Sequence, residues 1–200
     1  MNSTKGQLKS KDGIDLYPIK DFDGMHAAGR VAAGILDEIV TSVFPGQTTG
    51  KIDAIIEELI RDKNVESGTI GYRGYQHASC ISVNHVVCHG IPSDKILKEG
   101  DILNIDVTVI KDGWYGDTSR MYVAGQPSRK AERLIQVTHD ALFKGIDAVK
   151  PGKTFGDIGH AIQTYVEANR MSVVRDFCGH GLGRVFHSPP NVLHYGREGT

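Results

Sequence analysis

The chain has 200 residues and 21.8 kDa, with 23 basic against 24 acidic side chains and a formal net charge of -1. That balance excludes a broad electrostatic pull toward nucleic acid or an anionic membrane, and the absence of any run of ~18 uncharged apolar residues excludes a spanning helix. Apolar residues make up 40% and glycine adds 24 residues, enough for one globular domain, or one pseudo-symmetric domain, with a buried core and many tight turns.

Residues 1–20 form a polar segment without the apolar stretch of a secretory leader. A single domain is expected over 21–200. From Asp21 to Phe44 apolar residues recur at helical spacing (Met25, Ala28, Ala32, Ile35, Leu36, Ile39, Val43), and Pro45-Gly46 stops that helix. Thr48 or Thr49 can cap a second helix carrying Ile52, Ile55, Ile56, Leu59 and Ile60. Glycine-punctuated, β-rich segments follow over 69–87, then a hairpin pattern over 102–123. The plan then restarts. Ser128 can cap a helix with Leu134, Val137, Ala141, Leu142 and Val149; Pro151-Gly152 stops it; and a further helix carries Ile158, Ile162 and Val166.

This restart is an internal repeat. PGQTTGKIDAIIEELI from Pro45 and PGKTFGDIGHAIQTYV from Pro151 share Pro, Gly, Thr, Gly, Ile and Ile at an offset of 106 in one ungapped register. The first copy reads helix, helix, strands, hairpin. The second reads helix, helix and strands around 173–187. Its matching hairpin would fall beyond Thr200, so the sequence is expected to be part of a longer protein.

Three local features carry chemistry. In ILNIDVTVIKDGWYGDTSRMYV, Leu103, Ile105, Val107 and Val109 share one strand face, and Asn104, Asp106 and Thr108 share the other. With the turn at Lys111-Asp112-Gly113, Asp106 and Asp117 are expected to face each other, with Cβ atoms roughly 5 Å apart. Paired carboxylates there need a shared proton, an arginine, or one or two metal ions between them; the plainer alternative is a pair of exposed turn aspartates. In FCGHGLGRVFH, glycines bracket His180 and let backbone approach closely, and His187 follows beside Phe186. An Asp, Asp, His set suits Mn, Fe, Co or Zn better than Ca. In ASCISVNHVVCHGIP, His89 closes a strand at a turn, from which it can reach a cleft. His85 stays unassigned, and His26, His77, His139, His160 and His194 read as surface or packing residues. The three cysteines, Cys80, Cys88 and Cys178, are odd in number and lack a C-x-x-C pair, which points to free thiols in a reducing, cytoplasmic setting. A thiol nucleophile at Cys178 has no third orienting group. No phosphate-binding loop, dinucleotide fingerprint, H-E-x-x-H or G-x-S-x-G is present.

Taken together, CHGIP (88–92), NIDVTVIKDGWYGDTSRMY (104–122) and CGHGLGRVFH (178–187) resemble the type I methionine aminopeptidases, over nearly the whole of 21–200. The resemblance implies an α/β pita-bread fold built of two pseudo-symmetric halves, in agreement with the repeat. It implies two divalent metal ions (Co, Mn, Fe or Zn) held by two aspartates, one histidine and two glutamates. The first three fall on Asp106, Asp117 and His180. After His180 the only glutamate is Glu198, in a YGREGT segment that matches neither glutamate motif. The resemblance places His89 and His187 as catalytic, substrate-contacting histidines and Tyr72, Tyr75, Cys80 and Phe186 around a methionine pocket. Gln76 and His85 stand where the family pattern has Pro and Glu. The implied activity is metal-assisted removal of the N-terminal methionine of nascent polypeptides by a cytoplasmic monomer, with the ribosome as a candidate partner. With three of five ligands present, low activity is expected of these 200 residues alone. The rival readings are a pita-bread hydrolase acting at X-Pro bonds and a non-catalytic pita-bread module that binds peptides or the ribosome.

Overall fold

In this computed structural model residues 8–200 are described; residues 1–7 of the polar segment 1–20 lie outside them. The chain divides into two compact units. One runs to Ser128 and includes Leu182–Phe186; the other comprises Arg129–Gly181 and His187–Thr200.

The first unit starts with a small antiparallel pair, β1 (Leu8–Lys9) and β2 (Asp15–Leu16), and continues into helix α1 (Ile19–Glu38). α1 buries Ala28, Ala32, Ile35 and Leu36, the stripe set by the apolar spacing. A 3-10 turn, Ile39–Ser42, carries the chain toward Pro45-Gly46, so the α-helix ends six residues before the Phe44 of the expected span. Helix α2 (Thr49–Asp62) is capped by Thr48, whose side chain accepts from the Lys51 N–H at 3.2 Å, and it buries Ile52, Ile56 and Ile60. β3 (Glu66–Ser67), a short 3-10 turn at Tyr72–Gly74 and β4 (Ser79–Val83) follow. Most of the segment expected to be β-rich is therefore a looped connection. Gly71, Arg73 and Gly74 adopt left-handed backbone there, which no strand tolerates.

β5 (Ile102–Lys111) and β6 (Trp114–Val123) form the predicted hairpin, and β5 is the hub of the sheet. It pairs antiparallel with β6 along its whole length, with β4 (Cys80 opposite Asp106) and with β3. The face bearing Leu103, Ile105, Val107 and Val109 is fully buried in a core with α1 and α2 residues. Gly116 permits the contact with α1, because a Cβ on it would lie 2.4 Å from the Ala28 carbonyl. Two polar bonds lock the same seam: the Tyr122 hydroxyl donates to the Leu36 carbonyl at 2.5 Å, and Arg120 donates to Asp37 at 2.6 Å. The outlying segment Leu182–Phe186 docks on the hairpin tip. The Tyr115 N–H donates to the Gly183 carbonyl at 2.9 Å, and the Arg184 guanidinium lies 3.8 Å from the Trp114 ring centroid.

The second unit holds α3 (Arg129–Asp147), α4 (Phe155–Ala168), β7 (Gly179–Gly181) and β8 (Ser188–Val192). The strands expected around 173–187 thus sit at 179–181 and 188–192, paired across a bulge at His180/Gly181. α4 begins with a reciprocal cap, in which the Asp157 carboxylate accepts from the Thr154 N–H at 2.7 Å.

Compared element by element, the units show the repeat directly. α2 and α4 are both 14 residues long and both start one residue after a threonine cap, at positions 49 and 155. In both, the second helical residue donates its N–H to the loop that follows later in its unit: Gly50 to Ser93 at 2.7 Å, Gly156 to Thr200 at 2.7 Å. The offset of 106 read from sequence is therefore an offset of structure. The described residues contain no helix long and apolar enough to cross a membrane.

Candidate functional site

The site begins with the hairpin turn. Asp112 and Gly113 take φ of 50° and 74°, a two-residue turn with Lys111 opposite Trp114. This centres the hairpin one residue beyond the expected midpoint. Asp106 consequently pairs with Ser119, and Asp117 pairs with Thr108. The two aspartates are diagonal neighbours rather than directly opposed, which corrects the expected register. Because the side-chain period is two, this shift leaves both on one face. It is the face opposite the Leu103–Val109 core stripe.

Burial and the adjacent Asp117 charge push the Asp106 carboxyl up to about 7. The Thr108 hydroxyl, itself buried, donates to Asp117 Oδ1 at 2.7 Å and fixes that partner. Cys80 lies across β4 from Asp106. Burial above all, then the nearby Asp106 and Cys88, holds the Cys80 thiol above its ordinary range, and burial with Asp106 does the same for Cys88. Tyr75 is likewise raised, by burial and by Cys80 within hydrogen-bonding reach; its hydroxyl donates to the Ser79 carbonyl at 2.9 Å. The thiols and the phenol are therefore neutral near pH 7, and the aspartates carry the site's acidity. Two partly buried carboxylates on one sheet face, Asp106 being driven toward protonation by burial and by its neighbour, form a hard oxygen donor set. A divalent cation fits it, since it removes the repulsion that the proton otherwise removes.

An aromatic wall flanks the carboxylates. The Phe186 ring packs at 4.9 Å on Tyr72 and stacks at 5.6 Å on Tyr115. Tyr115 lies two residues before Asp117 and hence on the same sheet face. The sequence reading missed it, although strand parity with Asp117 was the available signal. His89 is exposed beside Cys88 and holds a left-handed backbone, φ 55°, of the kind concentrated at functional sites. The next residue anchors it: the Gly90 N–H donates to Ser82 Oγ at 3.0 Å, and the Gly90 carbonyl accepts from the Ile81 N–H at 2.8 Å.

His180 and His187 belong to the second unit, where their rings lie 4.2 Å apart. His180 stands on β7, and its Nδ1 is 3.0 Å from the Gly181 carbonyl. Donation from Nδ1 leaves Nε2 as the basic nitrogen, the tautomer suited to a metal ligand. The first unit thus gathers Asp106, Asp117, Cys80, Tyr75, Tyr72 and Phe186, with His89 on the adjoining turn, and the second gathers His180 and His187. Among the described residues no three His, Cys, Asp or Glu side chains group closely enough to hold a metal ion. All three cysteines are free thiols. His77, read as a surface or packing residue, instead pairs with the buried Asp53 at 3.0 Å.

Comparison with known proteins bears on this arrangement. The sequence profile of metallopeptidase family M24 matches residues 23–200. A methionine aminopeptidase of Rickettsia prowazekii (strain Madrid E) is 54% identical over 187 residues, which span 94% of this chain and 72% of that protein. A methionine aminopeptidase of Escherichia coli (strain K12) is 50% identical over 189 residues, again 94% and 72%. The crystal structure of the methionine aminopeptidase from Rickettsia prowazekii superposes with a TM-score of 0.92, covering 93% of this chain and 75% of that one.

Proposed function

The chain belongs to metallopeptidase family M24 and has its pita-bread α/β fold, and on that premise we propose that it serves the removal of N-terminal methionine from peptides and nascent polypeptides. The observation that carries this reading is the Asp106–Asp117 pair beside the Tyr72–Phe186–Tyr115 wall. Acidic oxygens that call for a divalent cation adjoin an apolar aromatic surface suited to a flexible thioether side chain. The ligands we assign are Asp106, Asp117 and His180. We take the cofactor to be two divalent ions of the Co, Mn, Fe or Zn type, which when bound supply Lewis acidity and an acidified water.

The chain's own residues have separate tasks in this reading. Asp117, held by Thr108, and Asp106, held between β4 and β6, fix the donor geometry. His89 and His187 donate to the scissile carbonyl and to the negative charge that develops on it. Tyr72, Tyr75, Cys80, Phe186 and, newly, Tyr115 form the lining that takes the methionine side chain. The neutral state of Cys80 and Tyr75 suits that task, because an apolar side chain gains nothing from a charged wall. The same reading sets the reaction in the cytoplasm, in a monomer that meets polypeptides as they leave the ribosome.

Peptide choice tests it. Chelator-treated protein reloaded with Mn2+ or Co2+ is offered Met-Ala-Ser and Ala-Pro. Release of methionine from the first, at the low rate expected with three of five ligands present and with no cleavage of the second, is the expected result. Cleavage of Ala-Pro alone transfers the chain to the X-Pro reading. Saturable binding of Met-Ala-Ser that no added metal converts to cleavage transfers it to a non-catalytic module.

A further inference from the structure

Asp53 is a carboxylate in the wrong place for a surface helix. It lies in the second turn of α2, its side chain is 8% exposed, and it is flanked by the core residues Ile52 and Ile56. Both its oxygens are used. Oδ1 accepts from the Ser79 hydroxyl at 2.7 Å, and Oδ2 faces His77 Nδ1 at 3.0 Å. His77 and Ser79 flank Ala78 at the end of the looped connection that leads into β4. The same loop is tied at its start, where Thr69 Oγ1 donates to the His77 carbonyl at 2.8 Å. Between these ties lie Gly71, Tyr72, Arg73 and Gly74, three of them in left-handed backbone and none in a helix or strand long enough to hold itself. Backbone bonds shape the turn itself, with the Gly71 N–H donating to the Tyr75 carbonyl at 2.7 Å and the Tyr75 N–H to the Tyr72 carbonyl at 3.0 Å, while side-chain ties fix where the loop sits on α2, and Asp53 provides two of them.

The ties also reach the aromatic lining. The His77 ring packs edge-on against Tyr75 with centroids 5.6 Å apart, and the Tyr75 hydroxyl donates to the carbonyl of Ser79, the residue that holds Asp53 Oδ1. Tyr75 is thus braced from behind by the Asp53–His77 pair and borders Cys80, opposite Asp106, in front.

We propose that Asp53 and His77 form a positioning clamp that sets the Tyr72–Tyr75 loop and so sets discrimination for methionine in the aromatic pocket; this rests on the methionine-pocket reading above. Neither residue touches the reacting atoms. A carboxylate that accepts two hydrogen bonds in a buried setting leaves an unsatisfied charge when one donor is removed, so the loop must shift to solvate it. A shift of about 1 Å in Tyr75 is enough to spoil a pocket shaped for one side chain.

The test compares His77→Leu, which removes the donor, with His77→Asn, whose amide nitrogen can replace Nδ1. Asp53→Asn is a second variant that keeps side-chain shape. Binding of Met-Ala-Ser and Ala-Ala-Ser to the full chain in Mn2+ buffer is measured by calorimetry, and unfolding is followed by Trp114 fluorescence. The expected result is a fall of about tenfold in the Met-Ala-Ser over Ala-Ala-Ser ratio for His77→Leu and Asp53→Asn, with the ratio restored in His77→Asn. An unchanged ratio in His77→Leu, or in Asp53→Asn should the leucine variant not fold, overturns the clamp, even where stability falls. Equal loss in His77→Asn and His77→Leu also overturns it. Wild-type protein that fails to prefer Met-Ala-Ser defeats the pocket reading itself, and the clamp's role in specificity with it.

Discussion

Asp106→Asn should make the metal-free protein more stable at pH 8 while leaving it unchanged at about pH 3. In the folded chain, burial and the Asp117 charge raise the Asp106 carboxyl from its ordinary 3.8 to about 7. The folded state therefore binds a proton that the unfolded state has released. Stability is full below the ordinary carboxyl range, declines as pH rises through it, and reaches its floor above the folded value. Each tenfold change in proton affinity is worth about 1.4 kcal/mol. A carboxyl moved from 3.8 to about 7 thus makes the ionised, metal-free site about 4 kcal/mol worse than the neutral one. Asparagine copies the neutral form in shape and removes the loss. The assay is urea unfolding in EDTA at several pH values, read by the single tryptophan. Trp114 sits at the end of the same hairpin and is 5% exposed, so it reports on the first unit. An advantage for the asparagine variant that grows across pH 4–8 supports the reasoning. Equal stability of the two proteins at pH 8 refutes it, because the burial penalty and the repulsion would then be absent.

Other expectations follow from the same geometry. Asp117→Asn should weaken Mn2+ or Co2+ binding at least about tenfold and abolish the metal-induced rise in the Trp114 unfolding midpoint at pH 8; equal metal affinity by calorimetry would remove Asp117 from the ligand set. Gly116→Val should destabilise the first unit by ~3 kcal/mol or more, since its Cβ would lie 2.4 Å from the Ala28 carbonyl and must push α1 off the sheet; an unchanged urea midpoint contradicts the packing. In the second unit the Thr154 N–H and hydroxyl hold the Asp157 carboxyl below its ordinary range. Its contribution to stability is present above the ordinary carboxyl range and disappears as pH falls through the depressed value, so Asp157→Asn should lower the helical melting temperature at pH 7 and make no difference at about pH 2.

Some of this architecture was written plainly in the chain. The 106-residue offset fixed both α2 and α4 because threonine caps and apolar spacing are local signals. The hairpin limits 102–123 were legible for the same reason, as strict alternation has a period that helices cannot imitate. The register was not. A turn of Lys-Asp-Gly can be centred at more than one place, and only the left-handed pair Asp112-Gly113 selects the pairing seen. The acidic pair survived that error because it amounted to two residues in the pairing sum, whereas a slip of one would have turned Asp117 to the core side of the sheet. The Asp53–His77 pair was illegible because its members are 24 residues apart and neither stands in a motif. In sequence, Asp53 looks like the solvent side of a helix; only the fold of the 69–79 loop over α2 buries it.

The two faces of β5 explain why the site can be both costly and tolerated. Leu103, Ile105, Val107 and Val109 are 0% exposed and anchor the strand through its apolar side, independently of what the other side carries. The opposite face is therefore free to hold Asp106 and Thr108, with Asp117 of β6 beside them, in an arrangement that opposes the ionisation of Asp106. Asp106 on that face neighbours Cys80 across β4, and its charge reaches Tyr75 and Cys88 as well. Substitutions that relax the site should for this reason stabilise the chain while impairing metal binding, the opposition expected where function is built from strained groups on a secure scaffold. On the reading proposed above, a divalent cation held by these carboxylates would resolve the opposition without altering a residue, offsetting the burial and repulsion that disfavour the ionised Asp106.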